Sequence, residues 1–140
     1  MKRFSYLGAL ALTFLLCSFS FNNPLIVKKW KFDPKAVEKM LQDEAKKEGR
    51  TATKEEIDFA MTLFSGITWD FQSGGKLVLT GMGESSNSTW SLSKDNKKLT
   101  VESPEGSMVF DVKELSANKL VISALDPESG QITELGFIPA

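Results

Sequence analysis

From Gly66 to its end the chain repeats one pattern: short runs of alternating apolar and polar residues, each closed by residues that turn the backbone. Ile67-Thr68-Trp69-Asp70-Phe71 is followed by Ser73-Gly74-Gly75, then by Lys76-Leu77-Val78-Leu79, and later by Trp90-Ser91-Leu92. A period of two marks a strand with one buried face. The pattern predicts strands over 67–72, 76–82, 88–93, 98–103, 107–115, 119–125 and 131–138. Between them, segments 73–75, 83–87, 94–97, 104–106, 116–118 and 127–130 carry the Gly, Pro, Asn and Asp that tight turns require. Connections this short pair neighbouring strands antiparallel.

A further strand is expected upstream, over 25–32, with Ile26, Trp30 and Phe32 on one face. Lys28 shares that face. It either lies at a sheet end and reaches out to solvent or stands as a cation inside a pocket. Between this strand and the next, Asp33-Pro34 forms an N-cap with proline at the first helical position. Val37, Met40, Leu41, Glu44 and Ala45 then fall at helical spacing up to Gly49. Thr53-Lys54-Glu55-Glu56 is a capping box opening a second helix, with Ile57, Ala60, Met61 and Phe64 as its stripe and Gly66 as its stop. Helices this short need an apolar surface to lie on. Covering one opening or face of the sheet is one role for them, and forming a movable lid is the other.

Eight strands with one apolar face, and only short helices, predict a mainly β fold. It is an eight-stranded antiparallel up-and-down barrel with a two-helix insertion (34–65) between strands 1 and 2. Closure removes the exposed edges that a flat sheet of eight strands would present. Alternation points Trp69 and Phe71, Leu77 and Leu79, Trp90 and Leu92, Leu99 and Val101, Met108, Phe110 and Val112, and Leu120 and Ile122 inward. The last strand reads either way, with Leu135 and Phe137 competing with Ile132, Gly136 and Ile138.

Ahead of this domain, Met1-Lys2-Arg3 and the apolar run from Leu7 to Leu16 form a leader that places the domain outside the cytoplasm. A signal peptide over residues 1–20, cut near Ser20, leaves a single domain over 21–140. A lipid anchor at Cys17 is the alternative, with Leu16 a poor fit to the small residue wanted before such a cysteine, and an uncleaved anchor is a third reading. Membrane contact is expected only through this leader. Loss of Lys2 and Arg3 leaves 15 of the 17 basic residues against 18 acidic ones, a balance that argues against a nucleic-acid partner.

The chain has no histidine, and its single cysteine lies in the leader. It therefore offers no nucleophile–histidine pair and no Cys-based zinc site. No phosphate loop follows Gly81-Met82-Gly83, and 126–131 is too short and proline-constrained for a calcium loop. No catalytic residue, metal or cofactor is expected. Asn87-Ser88-Thr89 matches a glycosylation sequon, a pattern frequent by chance.

Trp30, Trp69-Asp70-Phe71-Gln72-Ser73-Gly74-Gly75, the segment from Ser88 to Leu99, Val112-Lys113-Glu114-Leu115 and Lys119-Leu120-Val121-Ile122 together resemble the bacterial (Bacteroidetes-type) lipocalin-like domain. The resemblance covers roughly 25–138 and implies a calycin-type barrel outside the cytoplasm. Two residues before Trp30, where animal lipocalins carry glycine, stands Lys28. The inserted helices are similar to the portal of fatty-acid-binding proteins. That family's arginine–tyrosine carboxylate clamp does not carry over, because Arg50 is the only arginine beyond the leader and no tyrosine lies there.

The expected activity is non-catalytic binding of a small apolar or amphipathic ligand by a monomer, in an interior almost without polar side chains. Trp30, Trp69, Phe71, Leu79, Trp90, Phe110 and Ile122 are the candidate lining, and Met40, Met61 and Phe64 the candidate lid. A filled barrel serving as a structural or protein-interaction module of the cell envelope is the alternative.

Overall fold

The computed structural model describes residues 23–140 and the backbone of Phe19–Ser20. The leader expected over 1–20, with Cys17, otherwise lies outside the described residues. In chain order the elements are β1 (Phe19–Ser20), β2 (Lys29–Phe32), α1 (Pro34–Lys47), α2 (Lys54–Ser65) and β3 (Thr68–Gln72). They continue with β4 (Lys76–Gly81), β5 (Glu84–Ser93), β6 (Lys98–Ser103), β7 (Gly106–Leu115), β8 (Leu120–Leu125) and β9 (Ile132–Pro139).

Each strand from β2 to β9 pairs antiparallel with its sequence neighbours, and β9 returns to β2 through Trp30↔Pro139, Lys31↔Ile138 and Phe32↔Phe137. These eight strands close an up-and-down barrel with the two helices inserted after β2, as the alternation predicts. β1 is an addition: Phe19 and Ser20 pair with Ser93 and Leu92 of β5, beyond the end of β4.

Two boundaries differ from expectation, each for a local reason. The first strand starts at Lys29 and not at residue 25. Asn23 holds the preceding segment in a turn, its carbonyl accepting from Ile26 N and Val27 N and its side chain from Leu25 N at 2.9 Å. Ile26 nevertheless stays fully buried, as a plug in the barrel end. The turn expected over 83–87 shrinks to Met82-Gly83, because φ of 52° and 78° at these residues makes a two-residue hairpin that pairs Gly81 with Glu84. Polar Glu84 to Asn87 therefore belong to β5.

The helix caps follow from their side chains. Asp33 accepts from Lys35 N at 3.0 Å, and Thr53 and Glu56 form the reciprocal capping box. Arg50 spans the inter-helix turn, donating to Glu48 at 2.8 Å and Glu56 at 2.9 Å. α1 packs on β9 and α2 on β2. The approach of α1 is close enough that a Cβ at Gly136 would stand 2.8 Å from the Cβ of Ala36.

The barrel has two distinct ends. The base holds the β3–β4, β5–β6 and β7–β8 hairpins together with the Asn23 turn; the helix end holds the β4–β5, β6–β7 and β8–β9 hairpins. Trp30, Phe71, Leu77, Trp90, Leu92, Leu99, Leu120, Ile122 and Phe137 form the buried core. Register settles the last strand, since Phe137 and Leu135 pair with inward Leu120 and Ile122.

Candidate functional site

The three tryptophans mark three depths of the barrel. Trp30 is fully buried and donates its indole N–H to Ile26 O at 2.9 Å; Trp90 is buried and donates to Gln72 O at 2.9 Å. Trp69 is partly exposed, and its indole N–H has no hydrogen-bond partner among the described residues. A buried indole normally finds an acceptor, so Trp69 differs from the other two in position and in bonding.

Trp69 also spans the interior. Its ring lies 6.1 Å from that of Phe110 on β7, four strands away in either direction around the barrel, and 5.1 Å from Phe137 on β9. Phe71 meets Trp90 edge-on at 5.6 Å. The middle of the barrel is thus crossed by stacked and tilted rings, close-packed as a core is. Of the expected lining, Trp30, Phe71, Trp90, Phe110 and Ile122 are in that packed core, whereas Trp69 and Leu79 reach the open side.

Above this layer the helix end is covered unevenly. Phe64 of α2 packs edge-on against Phe32 at 5.0 Å, and Phe32 stacks on Phe137 at 4.7 Å. The space left between Phe32, Val37, Met40, Phe64 and Leu135 is about 20 Å³, enough for one water at most. Among the expected lid residues, Met40 and Phe64 therefore seal the β2–β9 side, and Met61 is partly buried on α2. The β5–β7 side differs. Met108 shares the inward face through its pairing with Val101, yet it is 56% exposed.

That side carries hydroxyls. Ser86 pairs with Leu79 and Ser88 with Leu77, so both point inward. Ser103 continues the same face at the end of β6. Ser88 is only 7% exposed, and its hydroxyl has no hydrogen-bond partner among the described residues. Every fully enclosed polar side-chain atom among the described residues is satisfied, so this hydroxyl still opens onto accessible space. Among the described residues the buried barrel interior is otherwise apolar, as expected, and Ser88 is its exception. Strand parity counted back from Trp90 through Ser88 was the signal.

Lys28 turns away from the interior. Its ammonium donates to Ala117 O at 2.8 Å in the β7–β8 turn and lies 5.2 Å from the Trp30 ring centroid, capping the base from outside. Outside the barrel, a groove of about 680 Å³ runs between α1 and β8–β9, bordered by Lys39, Asp43, Lys119 and Glu134 among others. Met40 is the only expected site residue on it. No group of three metal-ligating acidic, histidine or cysteine side chains occurs among the described residues.

The hairpins of the two ends differ in charge. The hairpins at the helix end carry Glu84, Glu102, Glu105, Asp126, Glu128 and Glu134, with no lysine or arginine. The base hairpins are mixed: Lys76, Lys94, Lys97, Lys98, Lys113 and Lys119 stand beside Asp95, Asp111 and Glu114, with Lys98 paired to Asp111 and Lys119 to Glu114. In the β8–β9 turn Asp126 accepts from Glu128 N at 2.8 Å and from the Ser129 hydroxyl at 2.8 Å. Chiefly through the first of these bonds, its carboxyl is held below the usual aspartate range.

No protein-family model, curated protein or solved structure matches this chain.

Proposed function

We propose that this protein is a non-catalytic, extracytoplasmic binding protein that holds a small apolar or amphipathic molecule at the helix end of its calycin-like barrel. The observation that carries this reading is the uneven cover: α1 and α2 seal the β2–β9 side, while inward-facing Trp69, Leu79 and Met108 remain accessible. Accessible apolar side chains inside a rigid barrel gain about 25 cal/mol per Å² when a ligand displaces water from them. The packed ring layer beneath limits a ligand to the upper part of the barrel, so selection is by a shallow cup and not by a deep cavity.

Titration with an uncharged apolar dye such as N-phenyl-1-naphthylamine, followed by tryptophan fluorescence, tests this. Trp69→Phe is expected to remove most of the ligand-induced change, and Trp90→Phe to retain it. Absence of any change, with only the empty chain recovered in native mass spectrometry, would overturn the reading.

A second reading has its own observation. Val109, Leu125 and Ile132 are outward-facing and exposed, on the adjoining strands β7, β8 and β9 at the helix end. A protein-interaction module of the envelope would use this row. Concentration-dependent association abolished by Leu125→Ser/Ile132→Ser, without dye binding, would favour it.

A further inference from the structure

We propose that the mouth selects amphipathic molecules whose head group donates hydrogen bonds and carries no negative charge, and that it disfavours carboxylate-headed lipids. This deepens the ligand-binding reading above and rests on it. One feature calls for a polar head group, and a second sets its charge.

The first is the inward wall. Ser88 is more than nine-tenths buried, faces the barrel interior and has no partner for its hydroxyl among the described residues, with Ser86 and Ser103 on the same face. Trp69, Leu79, Phe110 and Met108 supply the apolar remainder of the inner surface. The apolar side chains on β3, β4 and β7 suit a hydrocarbon chain, and among them β5 offers a hydroxyl, without a partner among the described residues, that can donate to or accept from a ligand. Leaving such a group unpaired when a purely apolar ligand excludes water is costly, so occupancy favours a molecule that reaches Ser88 with a polar head group, whether donor or acceptor.

The second is the rim. All three hairpins around the mouth are acidic, and none bears a lysine or arginine to meet an anion. Among the helix cations, Arg50 points its guanidinium at Glu48 and Glu56, and Lys39, Lys47 and Lys54 are held by Asp43, Glu44 and Asp58, while Lys35 and Lys46 lie on α1, on the sealed β2–β9 side. Carboxylates only accept hydrogen bonds. A carboxylate head would add a further acceptor to a ring of acceptors and would be repelled by it, whereas a hydroxyl, amide or ammonium head can donate to Ser88 or to the rim.

Competition against the bound dye with dodecanol, dodecylamine and dodecanoate, each below its micellar concentration, tests the proposal. Dodecanol and dodecylamine should displace the dye at concentrations at least about tenfold lower than dodecanoate in low salt. The difference between the two charged probes should narrow as salt rises, since the screening length falls from about 10 Å at 0.1 M to 3 Å at 1 M. Glu84→Gln/Glu105→Gln/Glu128→Gln should improve dodecanoate selectively. Ser88→Ala should weaken dodecanol by a clearly larger factor than it weakens the dye. Dodecanoate binding as tightly as dodecanol, or a neutralised rim that leaves dodecanoate unaffected, would overturn the head-group assignment while leaving apolar binding intact. Failure of the dye itself to bind would overturn both.

Discussion

The base and the helix end of this barrel are built from the same strands, yet they solve opposite problems. At the base, Ile26, Trp30, Leu92 and Leu99 are fully buried, the Trp30 indole is bonded to Ile26, and Lys28 closes over its ring. At the helix end, Trp69 is partly exposed and Ser88 buried, the indole and the hydroxyl both without a partner among the described residues, and Met82, Met108, Leu125 and Ile132 stand in solvent. One end satisfies its groups internally. The other leaves apolar area and hydrogen-bonding capacity unused, which is the arrangement a binding surface needs and a structural core avoids.

The largest test of this contrast is truncation of matched tryptophans. Trp30→Ala removes a fully buried side chain and leaves the base hollow, so a loss of about 3–5 kcal/mol is expected in urea unfolding. Trp69→Ala should cost clearly less, because part of its surface already faces water. Equal losses would erase the distinction between the ends.

Next in size is the seam where the helices meet the barrel. Gly136→Ala brings a methyl group to 2.8 Å from Ala36 Cβ, and the overpacking should cost about 1–3 kcal/mol. Combining it with Ala36→Gly should recover much of that loss, beyond the roughly 1 kcal/mol that glycine costs a helix. Additive losses in the double variant would mean that α1 does not bear on β9 through this contact.

Smaller still is the cap of α2. Thr53→Ala removes the capping-box acceptor for Glu56 N and should cost about 1 kcal/mol. Hydrogen exchange should quicken in α2 while the base strands keep their protection. A uniform change across the barrel would show the helical cover and the base to be one cooperative unit.

The smallest effect is electrostatic and compares one turn from each end. Asp126 at the helix end and Asp95 at the base each organise a hairpin. The first is lowered mainly by the Glu128 N–H, the second by the Ser93 hydroxyl and then the Lys97 N–H. Both carboxyls titrate below their ordinary 3.8 in the folded chain. Their contribution is therefore present above pH 3.8 and is lost as pH falls below it, through the lower folded values. Acid unfolding of Asp126→Asn and Asp95→Asn should show a weaker dependence on pH below 3.8 than the parent chain, each by a small amount.

Much of the architecture was legible because it rests on local rules. Period-two alternation placed Trp69, Leu77, Trp90, Leu99 and Phe110 on the inner face, and Asp33-Pro34 and Thr53–Glu56 marked both helix starts. The failures were also local, but they depended on competing chemistry. Leu25 to Lys28 has β-forming residues, yet Asn23 captures their amides in a turn. Glu84 to Asn87 is polar enough to read as a loop, yet Met82-Gly83 turns so tightly that these residues must continue the ladder.

The mouth was less legible than the barrel. Trp69 and Trp90 look equivalent in sequence, and only their positions in the closed barrel leave Trp69 partly exposed and bury Trp90 beside the β3–β4 turn. Ser88 was visible by parity but indistinguishable from a strand-end serine, because its burial depends on strands that close from far along the chain. The acidic character of the helix end appears nowhere in a net charge of −1. It emerges when alternate hairpins are gathered at one end.

By itself, then, the sequence determined a closed antiparallel meander with two capped helices after its first barrel strand, since alternation, turns and caps act within a few residues. Tertiary structure decided which end is sealed, where the aromatic rings meet, and which hydroxyl and indole remain without partners. Those properties depend on contacts between strands separated by up to half the barrel's circumference, and no local pattern encodes such distances.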